Sequence, residues 1–433
     1  MKNYDLKWQI KNPLVQEMDN ERVKLNGAVA SLERQFVGDP FPYASSTTGR
    51  EIRDRANKIL SRSVELNGTR LNPFDRVVRK DIVYNAKIAK AYHSYFVNQK
   101  SAMTVGEFLS AFFVQGTYNK FLDAVRPENL DGLVLSKEEK LRAEMLFKTP
   151  DSAIAYYGSS SWSLKHQEKL LEALNNSKGA IGKFYRHLGV ETFDYNLELA
   201  PAGGGFSYWL SDTLMAAVDS DRFFATSGPY MTALPKLILA HELCHGLHGK
   251  KSENFPRGFS PKSWEYSCSL HGPCAEGGAL VMEGAYIDYS KKFESMPRDE
   301  RRILELFWET YLPKKSFQIA HDILERREAE EMYNSAFPES FKKYAHLKLA
   351  ELTGIKNFSD IFSMDDLPFF DTLQQVSYPI GNENMGNIMA CLRKEGVPRK
   401  VAFNSILQGV WTSSRAQEEF IFNCYIPALK KQN

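Results

Sequence analysis

The chain has 433 residues, with 55 basic and 53 acidic side chains, and 43% of its residues are hydrophobic. This ordinary, nearly neutral composition gives no reason to expect disorder, nucleic acid binding or attachment to a membrane. The N-terminal stretch lacks an apolar signal region, no apolar run reaches membrane-spanning length, and the five cysteines show no CxxC spacing. We therefore expect a cytoplasmic protein.

Helical periodicity dominates the sequence and predicts a mainly α fold, organised as one unit over residues 1–433. Between residues 192 and 226 the pattern alternates instead, which predicts a small β-sheet. The predicted strands are 193–200, 205–210, 214–219 and 222–226. The predicted helices are 50–64, 81–98, 104–114, 137–147, 163–175, 298–311, 315–335, 340–352, 384–395, 398–409 and 413–425.

The most informative stretch, Leu234–Lys250, reads LPKLILAHELCHGLHGK and directly follows the predicted sheet. Its apolar residues recur at helical spacing and share one face with His241 and His245. These two histidines lie one turn apart, so both imidazoles can reach one metal ion, and Glu242 lies beside them. This HExxH pattern predicts metal-assisted hydrolysis. The alternative is a pair of core histidines on an amphipathic helix.

A catalytic zinc ion needs a third protein ligand, and the block CAEGGALVMEGAYIDY offers two glutamates. Glu276 and Glu283 are two helical turns apart and share a face. Gly277 and Gly278 would let this helix approach the HExxH helix closely, so we predict Glu276 as the ligand. Glu283 would then accept a hydrogen bond from a histidine N–H.

Other assignments stay open at this stage. The two glutamates could be solvated residues on a helix surface. Nearby side chains could also complete a zinc site; these are His248, His271 and Cys274.

Three blocks resemble the glutamate-ligand zinc peptidases, or gluzincins. HELCHGLHG resembles the HEFGHALHG stretch of the thimet oligopeptidase and oligopeptidase F family. That family and the thermostable metallocarboxypeptidases share the seven-residue glutamate spacing seen in Glu276 and Glu283. EGGAL is similar to the EGWAL block of a bacterial peptidase-like family. Ser377–Leu392 resembles that family's YKIG block and the metallocarboxypeptidase segment with YFPSY and LGN. The chain departs from the bacterial family's usual HExxPGHH.

The resemblance implies a helical body of two lobes around a deep channel, with a catalytic core at about 203–392. One Zn²⁺ per chain would lie at the channel floor, and Glu242 would serve as general base in the hydrolysis of short peptides. The enzyme would be an oligopeptidase or a carboxypeptidase. A peptide would add as a strand along Gly203–Leu210. The residues expected to bind it are Gly204, Gly205, Phe206, Ser207 and Tyr208.

The resembling families also carry a tyrosine in a Gly-rich block beyond the third ligand. Tyr378, in SYPIG, is the corresponding residue, and we predict that it lies in a turn and stabilises the oxyanion. Tyr208, Tyr286 and His271 are alternative donors. Two other functions also fit the sequence, namely a zinc hydrolase of a non-peptide amide or ester and a non-catalytic helical interaction protein.

Overall fold

The computed structural model is mainly helical and contains a three-stranded sheet, which confirms the predicted fold class. It describes residues 6–38, 46–96, 104–110, 118–126, 136–138, 164–199, 208–210, 212–216, 234–259, 268–294, 301 and 369–432.

The helices are numbered in chain order. They are α1 (Pro13–Gly38), α2 (Ser46–Glu65), α3 (Pro73–Phe96), α4 (Val105–Ser110), α5 (Tyr118–Ala124), α6 (Leu164–Leu188), α7 (Leu234–Ser252), α8 (Cys268–Phe293), α9 (Phe369–Lys394), α10 (Arg399–Ile406), α11 (Ser414–Phe420) and α12 (Ile426–Gln432). A 3₁₀ turn at Arg257–Phe259 follows α7, and a π-helical turn at Ile421–Tyr425 joins α11 to α12.

Several helices are longer than the sequence pattern predicts, because buried contacts extend them past residues that usually end a helix. The clearest case is α9, which starts at Phe369 and runs through Pro379. Helix α1 was not predicted at all. The predicted helices 137–147, 298–311, 315–335 and 340–352 lie almost wholly outside the described residues.

The sheet consists of β1 (Asn196–Leu199), β2 (Tyr208–Leu210) and β3 (Thr213–Ala216), in the order β1-β3-β2. Strand β3 is central, parallel to β1 and antiparallel to β2. Within the described part of the chain, β2 is therefore an edge strand that pairs with β3 alone. The predicted strand at 222–226 falls outside that part.

Helix α8 is the central element of the region that contains the HExxH motif, because it packs against both α7 and α9. A Cβ atom at Gly278 would lie 2.7 Å from His248 Cε1, so Gly278 allows the close approach of α7. Gly277 instead allows the close approach of α9, since a Cβ there would lie 2.8 Å from Gly381 Cα. The prediction that both glycines contact α7 is therefore wrong for Gly277.

Helices α1, α2 and α3 pack together beside this region, and the fully buried Arg22 links α1 to α3. Arg22 pairs with Asp19 on its own helix, and its Nη1 lies 2.9 Å from Asp81 Oδ2 on α3. Asp81 also accepts hydrogen bonds from the backbone N–H groups of Thr412 and Ser413. The segment before α11 is thereby tied to the N-terminal helices. In the described residues, none of the helices has the length and apolar character needed to cross a membrane.

Candidate metal centre

Helix α7 presents the two histidines of the HExxH motif on the side that faces α8. Leu237, Ala240 and Cys244 are buried and anchor the helix in the core. With that face fixed, the Nε2 atoms of His241 and His245 lie 3.0 Å apart. Two imidazole nitrogens at this separation can both bind one ion.

Glu276 on α8 supplies the third group. Its Oε2 lies 3.2 Å from His241 Nε2 and 3.4 Å from His245 Nε2. Ligand atoms at about 2.05 Å from a tetrahedral zinc ion would be about 3.3 Å from one another, so the spacing fits such a site. In the described part of the chain, this is the group of three His, Cys, Asp or Glu side chains whose geometry could hold a metal ion.

The state of Glu276 Oε2 also fits a metal ligand. This oxygen is buried, and it makes no well-aligned hydrogen bond with any residue that the structure describes. A buried carboxylate oxygen in that condition is unfavourable unless an ion or another partner neutralises it. Three converging ligand atoms, one of them otherwise unsatisfied, can hold a metal ion.

Glu283, one of the two candidate glutamates, lies behind the ligands rather than among them. It is 4% exposed, and its Oε1 lies 2.6 Å from His241 Nδ1. In the neutral imidazole with hydrogen on Nδ1, His241 donates to Glu283, and its Nε2 lone pair faces His245 and Glu276. Glu276 therefore lies with the two histidines, and Glu283 lies behind them against His241; their roles as ligand and supporting acceptor stay predictions.

The charges of these groups are strongly coupled. Burial by itself lowers the pKa of His241, but the contacts with Glu276 and Glu283 outweigh it and raise that pKa well above its ordinary value. Burial by itself raises the pKa of Glu276, whereas His245 and His241 bring it well below its ordinary value. These opposite shifts show that the cluster favours positive charge at His241 and negative charge at Glu276.

Glu242, the predicted general base, follows His241 on α7 and is partly buried. Burial raises the pKa of its carboxyl group, the two neighbouring histidines lower it, and the net shift is upward. A carboxylate with a raised pKa is a better proton acceptor than a solvated one. It interacts electrostatically with His241, His245 and Glu276, which suits a base that acts on water near them.

Tyr378 lies next to the cluster, although it is far from the HExxH motif in the sequence. Its ring centroid is 6.4 Å from that of His241. The prediction of a turn here was wrong, because Tyr378 lies inside α9, whose close contact with α8 holds it in place. Its role as an oxyanion donor stays a prediction.

The side chains considered as alternative ligands have other partners. His248 Nε2 lies 3.1 Å from the carbonyl oxygen of Ile406, and burial lowers the pKa of His248 to about 4. His271 contacts Asn26 through Nε2 and Thr412 through Nδ1, both at 3.2 Å. Cys274 Sγ lies 3.5 Å from Ser414 Oγ. None of the three belongs to the cluster.

The remaining site residues are only partly described. Gly204, Gly205, Phe206 and Ser207 lie outside the described residues, while Tyr208 begins the edge strand β2. The hydroxyl of Tyr286, an alternative oxyanion donor, donates to Glu294 at 3.0 Å.

Two side chains that were not predicted as site residues bind the backbone of α7 beside His241. Tyr185 Oη donates to the carbonyl oxygen of Ala240 at 2.6 Å, and Trp209 Nε1 donates to that of Glu242 at 2.8 Å. No sequence pattern points to them, because each bond joins a side chain to a backbone atom of a different element.

No protein-family model matches this chain, and no curated protein matches it. Among solved structures, it is similar to "the putative lipoprotein from Colwellia psychrerythraea", with 13% sequence identity and a TM-score of 0.44. The alignment covers 92% of this chain and 69% of that one. A likeness of this degree leaves the function to be argued from the site itself.

Proposed function

We propose that this protein is a zinc-dependent peptidase of the gluzincin type that hydrolyses short peptides. The observation that carries the proposal is the convergence of His241 Nε2, His245 Nε2 and Glu276 Oε2 within 3.0 to 3.4 Å of one another. Two imidazoles and one carboxylate suit a catalytic zinc ion with an open fourth position. Magnesium and calcium prefer oxygen ligands, so they fit this donor set less well.

Zinc, when bound there, would supply a water of lowered pKa and polarise the carbonyl group of a substrate. Glu242 would take a proton from water and deliver it to the leaving amine. Glu283 would keep the His241 ring in the orientation that leaves Nε2 available. Tyr378 would donate its hydroxyl hydrogen to the oxygen on which negative charge develops.

The sheet favours a peptide over a small amide or ester as the substrate. Within the described residues β2 pairs with β3 alone, and Trp209 of β2 bonds to the backbone of α7. An edge strand next to the metal ligands can pair with the main chain of an extended peptide. The two-lobed channel and the cytoplasmic location expected from the sequence belong to the same proposal.

The test combines metal analysis with a digest of mixed short peptides read by mass spectrometry. We expect one zinc ion per chain and cleavage by the wild-type protein. Glu242→Gln is the matched control, because it keeps the shape of the side chain but cannot accept the proton. It should bind zinc and cleave nothing.

Two contrary outcomes would indicate a different function, and a third would exclude only the assigned base. Zinc binding with hydrolysis of amides or esters but of no peptide would indicate a non-peptide hydrolase. If the purified protein binds no zinc and cleaves nothing, this would indicate a non-catalytic helical interaction protein. Cleavage by Glu242→Gln within about tenfold of the wild-type rate would exclude Glu242 as the base.

A further inference from the structure

The carbonyl oxygens on either side of His241 each accept a hydrogen bond from outside α7. Tyr185 of α6 binds the carbonyl of Ala240, and Trp209 of β2 binds that of Glu242. In an α-helix these oxygens already accept from the N–H groups four residues later. The two external donors are additional, and they reach α7 from two different elements.

The indole of Trp209 packs against α7 at Gly246, where any larger residue would collide with it. A Cβ atom at Gly246 would lie 2.7 Å from Trp209 Cζ2 and 2.9 Å from Phe193 Cζ. The rings of Phe193 and Tyr195 lie 5.4 and 5.5 Å from that of Trp209 and hold it from the sheet side. Strand β2 is therefore joined to the HExxH helix by close packing as well as by a hydrogen bond.

Strand β2 needs such an anchor, because it is only three residues long and has one partner strand among the described residues. Strands this short are marginal on their own. A second link joins Lys250 of α7 to Asp212 in the turn after β2; it is 2.5 Å long, and the two side chains are 37% and 53% exposed. Exposed ion pairs contribute little, so the partly buried Trp209 is the main connection.

We infer that Trp209 is a positioning residue that sets the edge strand β2 at the distance from the metal ligands at which a peptide can pair with it. The inference rests on the proposed function and deepens it by naming the residue that holds β2 against α7. The side chain of Trp209 faces α7, so it acts through the strand and need not touch the substrate. Leu210, the next residue, is 63% exposed, as expected where side chains alternate along a strand.

This role predicts an effect that depends on substrate length. A long peptide reaches β2, whereas a blocked dipeptide spans only the bond at the metal. Loss of the anchor should weaken binding of the long peptide alone. If Trp209 had a purely structural role, its loss would weaken the binding of both peptides or of neither.

The test measures binding rather than turnover, in zinc-loaded protein that carries Glu242→Gln. The probes are a fluorescent octapeptide that contains a bond cut by the wild type, and the blocked dipeptide around that bond as competitor. Trp209→Phe keeps an aromatic ring but removes the N–H. Tyr185→Phe is the matched control, because it removes the equivalent donor to α7, which comes from α6 and not from β2. Zinc content and thermal unfolding are measured for every variant.

We expect Trp209→Phe to raise the Kd of the octapeptide about tenfold and to leave that of the dipeptide unchanged. Tyr185→Phe should change neither Kd. Equal changes for both probes, or an unchanged octapeptide Kd, would overturn the positioning role and leave the proposed function intact. If the parent protein binds neither probe, the proposed function fails, and the inference fails with it.

Discussion

Gly277 of α8 and Gly381 of α9 bring the backbones of two helices into direct contact. A Cβ at Gly277 would lie 2.8 Å from Gly381 Cα, and a Cβ at Gly381 would lie 2.7 Å from Gly277 N. Backbone atoms cannot rotate away as a side chain can. This contact places Tyr378, one turn before Gly381, next to His241 in α7.

We expect Gly381→Ala to lower the free energy of unfolding by about 3 kcal/mol, because the added methyl group meets backbone on the facing helix. Gly386→Ala is the matched control on the same helix, where a Cβ meets nothing within 4 Å. It should be neutral or stabilise by about 0.5 kcal/mol, since alanine favours a helix more than glycine does. Chemical denaturation of both variants measures the difference, and equal stabilities would contradict the close contact.

The assignment of Glu276 as a ligand, and of Glu283 as the hydrogen-bond acceptor for His241, predicts different losses of metal affinity. Glu276→Gln should abolish stoichiometric zinc binding, because it replaces a ligand. Glu283→Gln should weaken binding by about 10- to 100-fold, because it removes the acceptor at His241 Nδ1. Competition with a chelator gives both affinities. Stoichiometric zinc in Glu276→Gln together with its loss in Glu283→Gln would reverse the two roles.

Tyr378→Phe removes one hydroxyl group and keeps the ring beside His241. We expect kcat to fall about a hundredfold, corresponding to roughly 3 kcal/mol in the transition state, with zinc content unchanged. Tyr286→Phe is the control, because that hydroxyl donates to Glu294. Peptide turnover by Tyr378→Phe at the wild-type rate would show that Tyr378 is structural and that the oxyanion donor lies elsewhere.

The lowered pKa of His271 predicts how the free energy of unfolding depends on pH. Burial, with a smaller contribution from Arg22, lowers the pKa of His271 from 6.5 to about 3. The folded protein therefore holds this histidine neutral where the unfolded chain protonates it. The stability it contributes is present above pH 6.5 and is lost as the pH falls from there toward 3. Between pH 7.5 and 5 the loss from this group is about 2 kcal/mol.

The measurement is the free energy of unfolding at pH 7.5 and pH 5, for the wild type and for His271→Gln. Glutamine does not titrate, so the variant should lose about 2 kcal/mol less than the wild type over this interval. His248 has a lowered pKa as well, but it is present in both proteins and its contribution cancels. Identical pH dependence in the two proteins would contradict a buried, neutral His271.

The sequence by itself determined the features that depend on spacing within one helix. His241 and His245 share a face because they are one turn apart, and Glu276 and Glu283 share one because they are two turns apart. The helical class and the small sheet followed in the same way from periodicity. Each of these inferences concerns residues whose relative positions the helix or strand geometry fixes locally.

The tertiary structure alone decided which elements meet. Spacing could not show that Gly277 contacts α9 while Gly278 contacts α7, nor that the sequence SYPIG continues a helix instead of forming a turn. It also could not reveal the bond from Trp209 to the Glu242 carbonyl. These contacts join segments far apart in the chain, and burial of one element against another, which local propensity does not encode, selects them.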